Sequence, residues 1–309
     1  MHLSLVDRYG EERVARYTSY PTAAHFSQAV SFETYGRWLS GLPADLTGSL
    51  YLHIPFCRSM CWYCGCHTAI TRRDAPIADY VSVLRREVDL VVNRLRYPVA
   101  VRHLHFGGGT PTVMKPEEFL DLVRLLKDRF LFTADTEIAV EIDPRTLSDA
   151  MISALGEAGV TRASLGVQSF DPAVQAAVNR IQSFEQTAAT VKGLRAAGVK
   201  GINFDLIYGL PHQTVTSCID TVQRCLVLQP DRFAVFGYAH VPAFKKHQRL
   251  IDESALPGCT DRFAQRENIA NMLMRAGYGP IGLDHYALPH DPMARAQAAG
   301  CLHRNFQGY

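Results

Sequence analysis

Between residues 48 and 241 the chain alternates two kinds of apolar pattern. Short runs rich in β-branched and aromatic residues end in small, polar or glycine-rich turns and predict strands: SLYLHIPF (49–56), VRHLHFGG (101–108), EIAVEIDP (137–144), TRASLGVQSF (161–170), GINFDLIYGL (201–210) and DRFAVFGYAH (231–240). The longer segments between them carry helical periodicity, as in IADYVSVLRREVDLVVNRL (77–95), PEEFLDLVRLLKDRF (116–130), LSDAMISALGEAG (147–159), EQTAATVKGLRAAG (185–198) and TSCIDTVQRCLVL (216–228). Two of these stop at Gly159 and Gly198, where a helix can end in left-handed backbone.

A strand followed by a helix, repeated six times, requires parallel strands joined by right-handed crossovers, with both sheet faces covered. Six units are fewer than the eight of a closed barrel, so the expected class is α/β, a partial (β/α)6 TIM-like barrel. Active sites of such folds lie at the C-terminal ends of the strands. Cys57 follows the first strand, Gly107 to Thr110 end the second, Glu141 and Asp143 the third, Gln168 the fourth, Asp205 and Tyr208 the fifth, and Tyr238 to His240 the sixth. Chemistry-bearing residues therefore converge on one rim. Around this array we expect an N-terminal extension over 1–45, a barrel over 46–275 and the start of a C-terminal region over 276–309. Residues 260–276 read as a helix, and GPIGLDHYALP as a strand and turn.

Composition narrows the function classes. The 32 Lys and Arg nearly balance 30 Asp and Glu, giving a net charge of +2, without the basic excess that a nucleic-acid partner would favour. The N-terminus lacks the pattern of a signal peptide, and no apolar run reaches the ~18 residues of a spanning helix. We expect a cytoplasmic protein with no nucleic-acid partner and no membrane insertion. Of eight cysteines, four fall within ten residues (57, 61, 64 and 66), an asymmetry that argues for a metal site over a disulfide framework. Those at 218, 225, 259 and 301 are expected to be small buried hydrophobes.

The loop HIPFCRSMCWYCGCHT has the spacing C-x3-C-x2-C-x-C directly after an apolar strand. Thiolates of Cys57, Cys61 and Cys64 can each take one iron of a cubane cluster, leaving the fourth iron open to a small chelating molecule. Two alternatives stay open on spacing alone. Four thiolates can make a structural zinc site, and Cys66 can be a fourth cluster ligand with no open iron. The Gly107-Gly108-Gly109 run ending the second strand allows close backbone approach and offers amide N–H groups to a carboxylate or hydroxyl.

The C-x3-C-x2-C spacing, with Tyr63 before the third cysteine, resembles the signature of radical S-adenosylmethionine enzymes. Within that group the chain resembles the oxygen-independent coproporphyrinogen III dehydrogenases, and the likeness runs nearly end to end. It is carried, in order, by RYTSYPTA (16–23), YLHIPFC, the cysteine loop, HFGGGTPT, EIDPRT, LGVQSF, VNRIQ, NFDLIYGLP, GYAHVP, GLDHYALP and LHRNFQGY. The resemblance implies one 4Fe-4S cluster on Cys57, Cys61 and Cys64, no ligand role for Cys66, and two molecules of S-adenosylmethionine. Tyr51, Gly108 and Glu141 would contact the first. Tyr63, Gly109, Thr110, Gln168, Arg180, Asp205 and Ala239 would contact the second. From the residues alone, Glu141 and Asp205 could instead pair with nearby bases, and Arg180 could be a solvated helix-end charge.

The implied reaction converts two propionates of coproporphyrinogen III to vinyl groups through a 5'-deoxyadenosyl radical, giving protoporphyrinogen IX. It needs an electron donor of the reductase, flavodoxin or ferredoxin type. Arg16, Arg72, Arg73 and Arg304 are candidates for the substrate carboxylates; the resemblance singles out no residue as a catalyst. Members of the family continue beyond the position of Tyr309 into a helical region over the barrel mouth, so a shortened chain is the expectation. A haem-handling relative without decarboxylation and a cluster-binding remnant without turnover are the alternatives.

Overall fold

A computed structural model describes Tyr9 and residues 25–304. The RYTSYPTA segment, Arg16 and the last five residues lie outside the described residues. The first element is helix α1 (Phe32–Ser40), with Ser31 accepting a hydrogen bond from the Thr34 amide at its start. Strand β1 (Thr47–Ile54) leads through the short β2 (Phe56–Cys57) and β3 (Ala69–Ile70), which pair with each other, to helix α2 (Ala75–Val92). The repeat continues as β4 (Ala100–Gly108), α3 (Pro116–Arg129), β5 (Leu131–Ile142), α4 (Asp149–Ala158) and β6 (Arg162–Gln168). A short α5 (Pro172–Ala177) precedes α6 (Phe184–Ala196), β7 (Gly201–Tyr208), α7 (Val215–Val227) and β8 (Arg232–Gly237). Helix α8 (Cys259–Arg275), β9 (Gly279–Ile281), β10 (His285–Ala287) and α9 (Pro292–Ala298) complete the described chain.

The main sheet runs β1-β4-β5-β6-β7-β8-β10-β9. Its first six strands are parallel, as the strand-helix alternation predicts, and β10 joins β8 antiparallel. The edge strands β1 and β9 do not pair, so the α/β barrel is open. The segment read as one strand and turn after residue 278 is a hairpin of two three-residue strands that extends this sheet.

The two faces of the sheet differ in chemistry because successive side chains point to opposite sides. One face carries Leu52, Ile54, Leu104, Phe106, Val140, Ile142, Leu165, Phe204 and Phe233, all buried and packed on apolar helix positions such as Phe119, Leu122, Leu155 and Val222. The Phe106 and Phe119 rings lie 5.0 Å apart. The other face carries Tyr51, His53, His103, His105, Glu137, Glu141, Arg162, Ser164, Asn203, Asp205 and Arg232. This polar side of the sheet is where a polar ligand can lie.

At the N-terminal end of that polar side sits a buried ion cluster. Arg162 donates to Glu137 (3.1 Å) and to Asp291 (3.1 Å), and Arg232 donates to Asp291 (2.7 Å). Asp291 also accepts from the Met293 amide and so starts α9, tying the last described helix to the sheet. Against the cost of burial, the two arginines hold the Glu137 carboxyl below the ordinary glutamate range.

Gly159 and Gly198 take positive φ (78° and 94°) after their helices, as predicted. Cys218 and Cys225 are buried on α7, but Cys259 is only half-buried and Cys301 is exposed, so the expectation of burial fails for those two. No helix among the described residues is long and apolar enough to cross a membrane.

Asp291→Ala removes the acid shared by two buried arginines while leaving Glu137 in place. Breaking a buried pair costs about 3–5 kcal/mol, and the low end is expected here. Urea unfolding measures it, and a loss below about 0.5 kcal/mol, the size of an ordinary surface change, would show the cluster to be dispensable.

Candidate active site at the cysteine loop and the strand ends

The cysteine loop leaves β1 at its C-terminal end and is fixed by main-chain contacts with the glycine run of β4. The Gly109 amide donates to the Ile54 carbonyl (2.9 Å) and the Thr110 amide to the Phe56 carbonyl (2.8 Å). A side chain at Gly109 would put its Cβ 2.6 Å from the Phe56 oxygen, so glycine alone permits this approach. Gly108 has φ 115°, and its amide points at Glu141 Oε2 (3.1 Å).

Four carbonyls of the loop are held by side chains from distant elements. Asn179 Nδ2 donates to Met60 O (2.8 Å), Gln248 Nε2 to Tyr63 O (3.0 Å), His247 Nε2 to Cys64 O (2.7 Å) and Lys245 Nζ to Cys66 O (2.9 Å). Since a carbonyl only accepts, the proton of His247 stands on Nε2. Sequence reasoning missed all four. Asn179 is two residues past a helix too short to register, and Lys245, His247 and Gln248 lie in a segment with no apolar period.

All eight cysteines are free. Burial pushes the Cys57 thiol up to about 11, with Cys64, Cys61 and Asp143 adding negative charge nearby, and its sulfur lies 3.4 Å from Thr110 Oγ1. Cys64 moves the other way. A hydrogen bond from the Cys66 thiol, helped by the Cys66 amide, His247 and Lys245, brings it down to about 6 against the opposing effect of burial. Cys66 itself is exposed and is raised, because its proton is engaged with Cys64.

Cys61 is buried and receives two guanidinium hydrogen bonds, from Arg145 Nη2 (3.2 Å) and Arg180 Nη1 (3.5 Å). Both arginines are anchored on Asp143, Arg145 at 2.7 Å and Arg180 at 3.4 Å. Burial alone would raise the Asp143 carboxyl; Arg180 and Arg145 hold it below the ordinary aspartate range.

The three residues expected beside the first S-adenosylmethionine form one cluster. Glu141 accepts from the Gly108 amide and lies 3.2 Å from His105 Nε2. Tyr51 stacks on His105 with centroids 5.7 Å apart and meets His53 Nδ1 at 3.0 Å. A Cβ at Gly107 would sit 2.8 Å from Glu141 Oε1 and 2.9 Å from the Tyr51 hydroxyl.

The second expected set is drawn from several strand ends and loops. Arg180 is buried, not solvated, and donates to the Gly166 carbonyl (2.6 Å) and Gln182 (3.1 Å), while its Nε has no partner. Gln168, with φ 65°, brings its amide against Gly166 beside Arg180. Tyr63 and Ala239 are linked through Gln248 Nε2, which donates to both carbonyls. Among the described residues Asp205 makes no salt bridge. It accepts from Ser164 (3.0 Å) and Asn203 (2.9 Å), and burial followed by the charge of Glu141 pushes it up to about 7. Arg72, Arg73 and Arg304 are exposed.

Among the described residues no three Cys, His, Asp or Glu side chains converge tightly enough to hold a single metal ion. Zinc requires its ligands at about 2.0–2.3 Å from one point, whereas a cubane presents irons at separate corners. Cys57, Cys61 and Cys64, free thiols on the one loop after β1, are a donor set of the kind a cubane takes. The Nε of Arg180, buried and without a partner among the described residues, fits a polar ligand beside it.

Residues 51–225 match the family model of the radical SAM superfamily. The chain is 62% identical to the oxygen-independent coproporphyrinogen III oxidase of Bradyrhizobium diazoefficiens, over all of this chain and 69% of that protein. It belongs to that family. The enzyme of the same name from Paracoccus denitrificans is 45% identical over 99% of this chain and 68% of its own length. The solved coproporphyrinogen III oxidase of Escherichia coli, a radical SAM enzyme by its published description, superposes with a TM-score of 0.91 at 39% identity. The match covers 99% of this chain and 68% of that one. The chain thus spans about two thirds of the length of these relatives. Membership of the radical SAM superfamily implies a 4Fe-4S cluster and S-adenosylmethionine.

Gly109→Ala forces the backbone of Phe56, one residue before Cys57, to move, and overpacking costs about 1–3 kcal/mol. The expected outcome is a folded chain with sharply reduced iron after reconstitution; full iron content would show that the close approach is not needed to place the loop. Asp205 gives a pH test. Burial holds the proton on folded Asp205 up to about pH 7, whereas unfolded aspartate loses it near 3.8, so the folded state binds more protons in between. Stability therefore falls as pH rises through that window. Asp205→Asn should flatten this part of the thermal unfolding profile, and an unchanged slope would place another group behind it.

Proposed function

We propose that this chain catalyses the oxidative decarboxylation of two propionate side chains of coproporphyrinogen III, giving the vinyl groups of protoporphyrinogen IX. The observation that carries the proposal is the cysteine loop lying against Gly108 and Glu141 in a chain 62% identical, end to end, to an oxidase of that name. Cys57, Cys61 and Cys64 are its cluster ligands. When bound, the cluster and S-adenosylmethionine supply one-electron reductive cleavage and a radical able to remove a hydrogen from the propionate. The remaining tasks fall to the protein.

Glu141, held in place by the Gly108 amide and His105, presents a carboxylate suited to the amine of a methionine moiety, with Tyr51 beside it. A second S-adenosylmethionine is assigned to Tyr63, Gly109, Thr110, Gln168, Arg180, Asp205 and Ala239. The fork of Arg180, fixed by Gly166, Gln182 and Asp143, keeps one N–H free for a carboxylate. Arg72 and Arg73, exposed beyond β3, and the exposed Arg304 are the described candidates for substrate propionates. The electron is assigned to a reductase, flavodoxin or ferredoxin-type donor.

The test is anaerobic reconstitution with iron and sulfide, followed by reductant, S-adenosylmethionine and coproporphyrinogen III. The expected products are 5'-deoxyadenosine and protoporphyrinogen IX, and Glu141→Gln should reduce both by at least tenfold. Deoxyadenosine without the vinyl product would assign the radical chemistry to another substrate, and failure to assemble any cluster would overturn the reading.

A further inference from the structure

We propose that Arg145, to which no role has been attached, is a positioning residue that sets the electron affinity of the cluster through the sulfur of Cys61. The inference rests on the reading of Cys57, Cys61 and Cys64 as cluster ligands. The Asp143-Pro144-Arg145 turn directly follows β5, and it closes on itself. Asp143 Oδ1 accepts from the Arg145 amide (3.0 Å) and from its Nε (3.0 Å), and Oδ2 accepts from Nη2 (2.7 Å). The guanidinium is thereby locked in one orientation, with Nη2 reaching Cys61 Sγ at 3.2 Å.

Charge bookkeeping shows what this does. Arg145, Arg180 and Asp143 form a group of two cations and one anion, with side chains 15%, 7% and 12% exposed. One positive charge is left over, and it faces the Cys61 sulfur. Adding an electron to a cluster increases negative charge on its sulfurs, and donors aimed at a ligand sulfur favour that state. Poor solvent access keeps the effect from being screened. Arg145 gives up no proton and touches no substrate in this role. It raises the fraction of reduced cluster available for the one-electron step, while Arg180 divides its donors between Cys61, Asp143, Gly166 and Gln182.

The test uses the full chain, reconstituted anaerobically, with Arg145→Met and Arg145→Lys beside the natural sequence. Iron and sulfide per chain are measured first. The reduced cluster is then followed by electron paramagnetic resonance through a dithionite titration without S-adenosylmethionine. Arg145→Met is expected to keep its cluster and show a roughly tenfold lower ratio of reduced to oxidised form at a fixed potential, about 59 mV for one electron. Arg145→Lys, which restores the charge without the fork, is expected to fall between. Equal potentials in all three chains would overturn the proposal. Loss of the cluster from both variants would also overturn it, leaving Arg145 a structural part of the loop. Absence of a cluster from the natural chain would overturn the ligand assignment itself, before any variant is compared.

Discussion

The close contact between the glycine run of β4 and the main chain that leads into the cysteine loop governs this structure. Gly109 and Thr110 give their amides to Ile54 and Phe56, and a single added methyl group at Gly109 would meet the Phe56 backbone on three atoms. The consequence reaches both sides of the contact. It fixes where Cys57 emerges from the sheet, and it turns the Gly108 amide toward Glu141 on the neighbouring strand. Strand pairing then sets the rest, since β4 is hydrogen-bonded to β1 on one side and β5 on the other. The site follows from the register of three adjacent strands and the absence of side chains at one crossing.

Electrostatics divide the polar side of the sheet into two ends. At the N-terminal end, Glu137, Arg162, Arg232 and Asp291 pair with one another as ions, with only Arg162 Nη1 of the cluster lacking a partner among the described residues. At the C-terminal end the groups are arranged less completely. Glu141 is shared between an amide and a histidine, Asp205 has only neutral partners, and Arg180 retains an unpaired N–H. Buried polar groups in stable cores are normally satisfied. What sets the ends apart is the pairing of their acids: Glu137 and Asp291 are paired with arginines, whereas among the described residues Glu141 and Asp205 are held by an amide, a histidine and neutral side chains.

The six parallel strands were legible because their apolar face leaves a residue such as Leu104 or Phe204 at every second position, and the helices because caps and glycines bound them. Several boundaries were not. The fourth strand was read through Phe170, yet it stops at Gln168, where φ turns positive and the register shifts beside Gly166. The first five residues of β5, Leu131 to Asp135, are mostly exposed and do not alternate apolar with polar. Helix α1 presents Phe32, Tyr35 and Trp38 to solvent, so it hides inside a stretch read as extension. Helix α5 has six residues and was absorbed into the turn before Arg180. At the site, the cysteines and strand-end carboxylates were visible as residue types in a motif. Arg145 lies within the quoted EIDPRT segment, but nothing in the sequence shows a guanidinium turning back 84 positions to Cys61.

That blind spot has a common physical cause. A loop with four thiols and a glycine cannot order itself, because its carbonyls need donors and its own side chains supply few. Here the donors come from Asn179, Lys245, His247 and Gln248, two sequence regions brought to the loop only by the completed sheet. Gln248 is 1% exposed and also accepts from the Val241 amide, so the segment after β8 is itself fixed by the contact it makes. The order of dependence therefore runs from sheet to strap to loop. A metal-ligand motif is readable locally, whereas the shape that makes it a site is assembled from residues more than a hundred positions away.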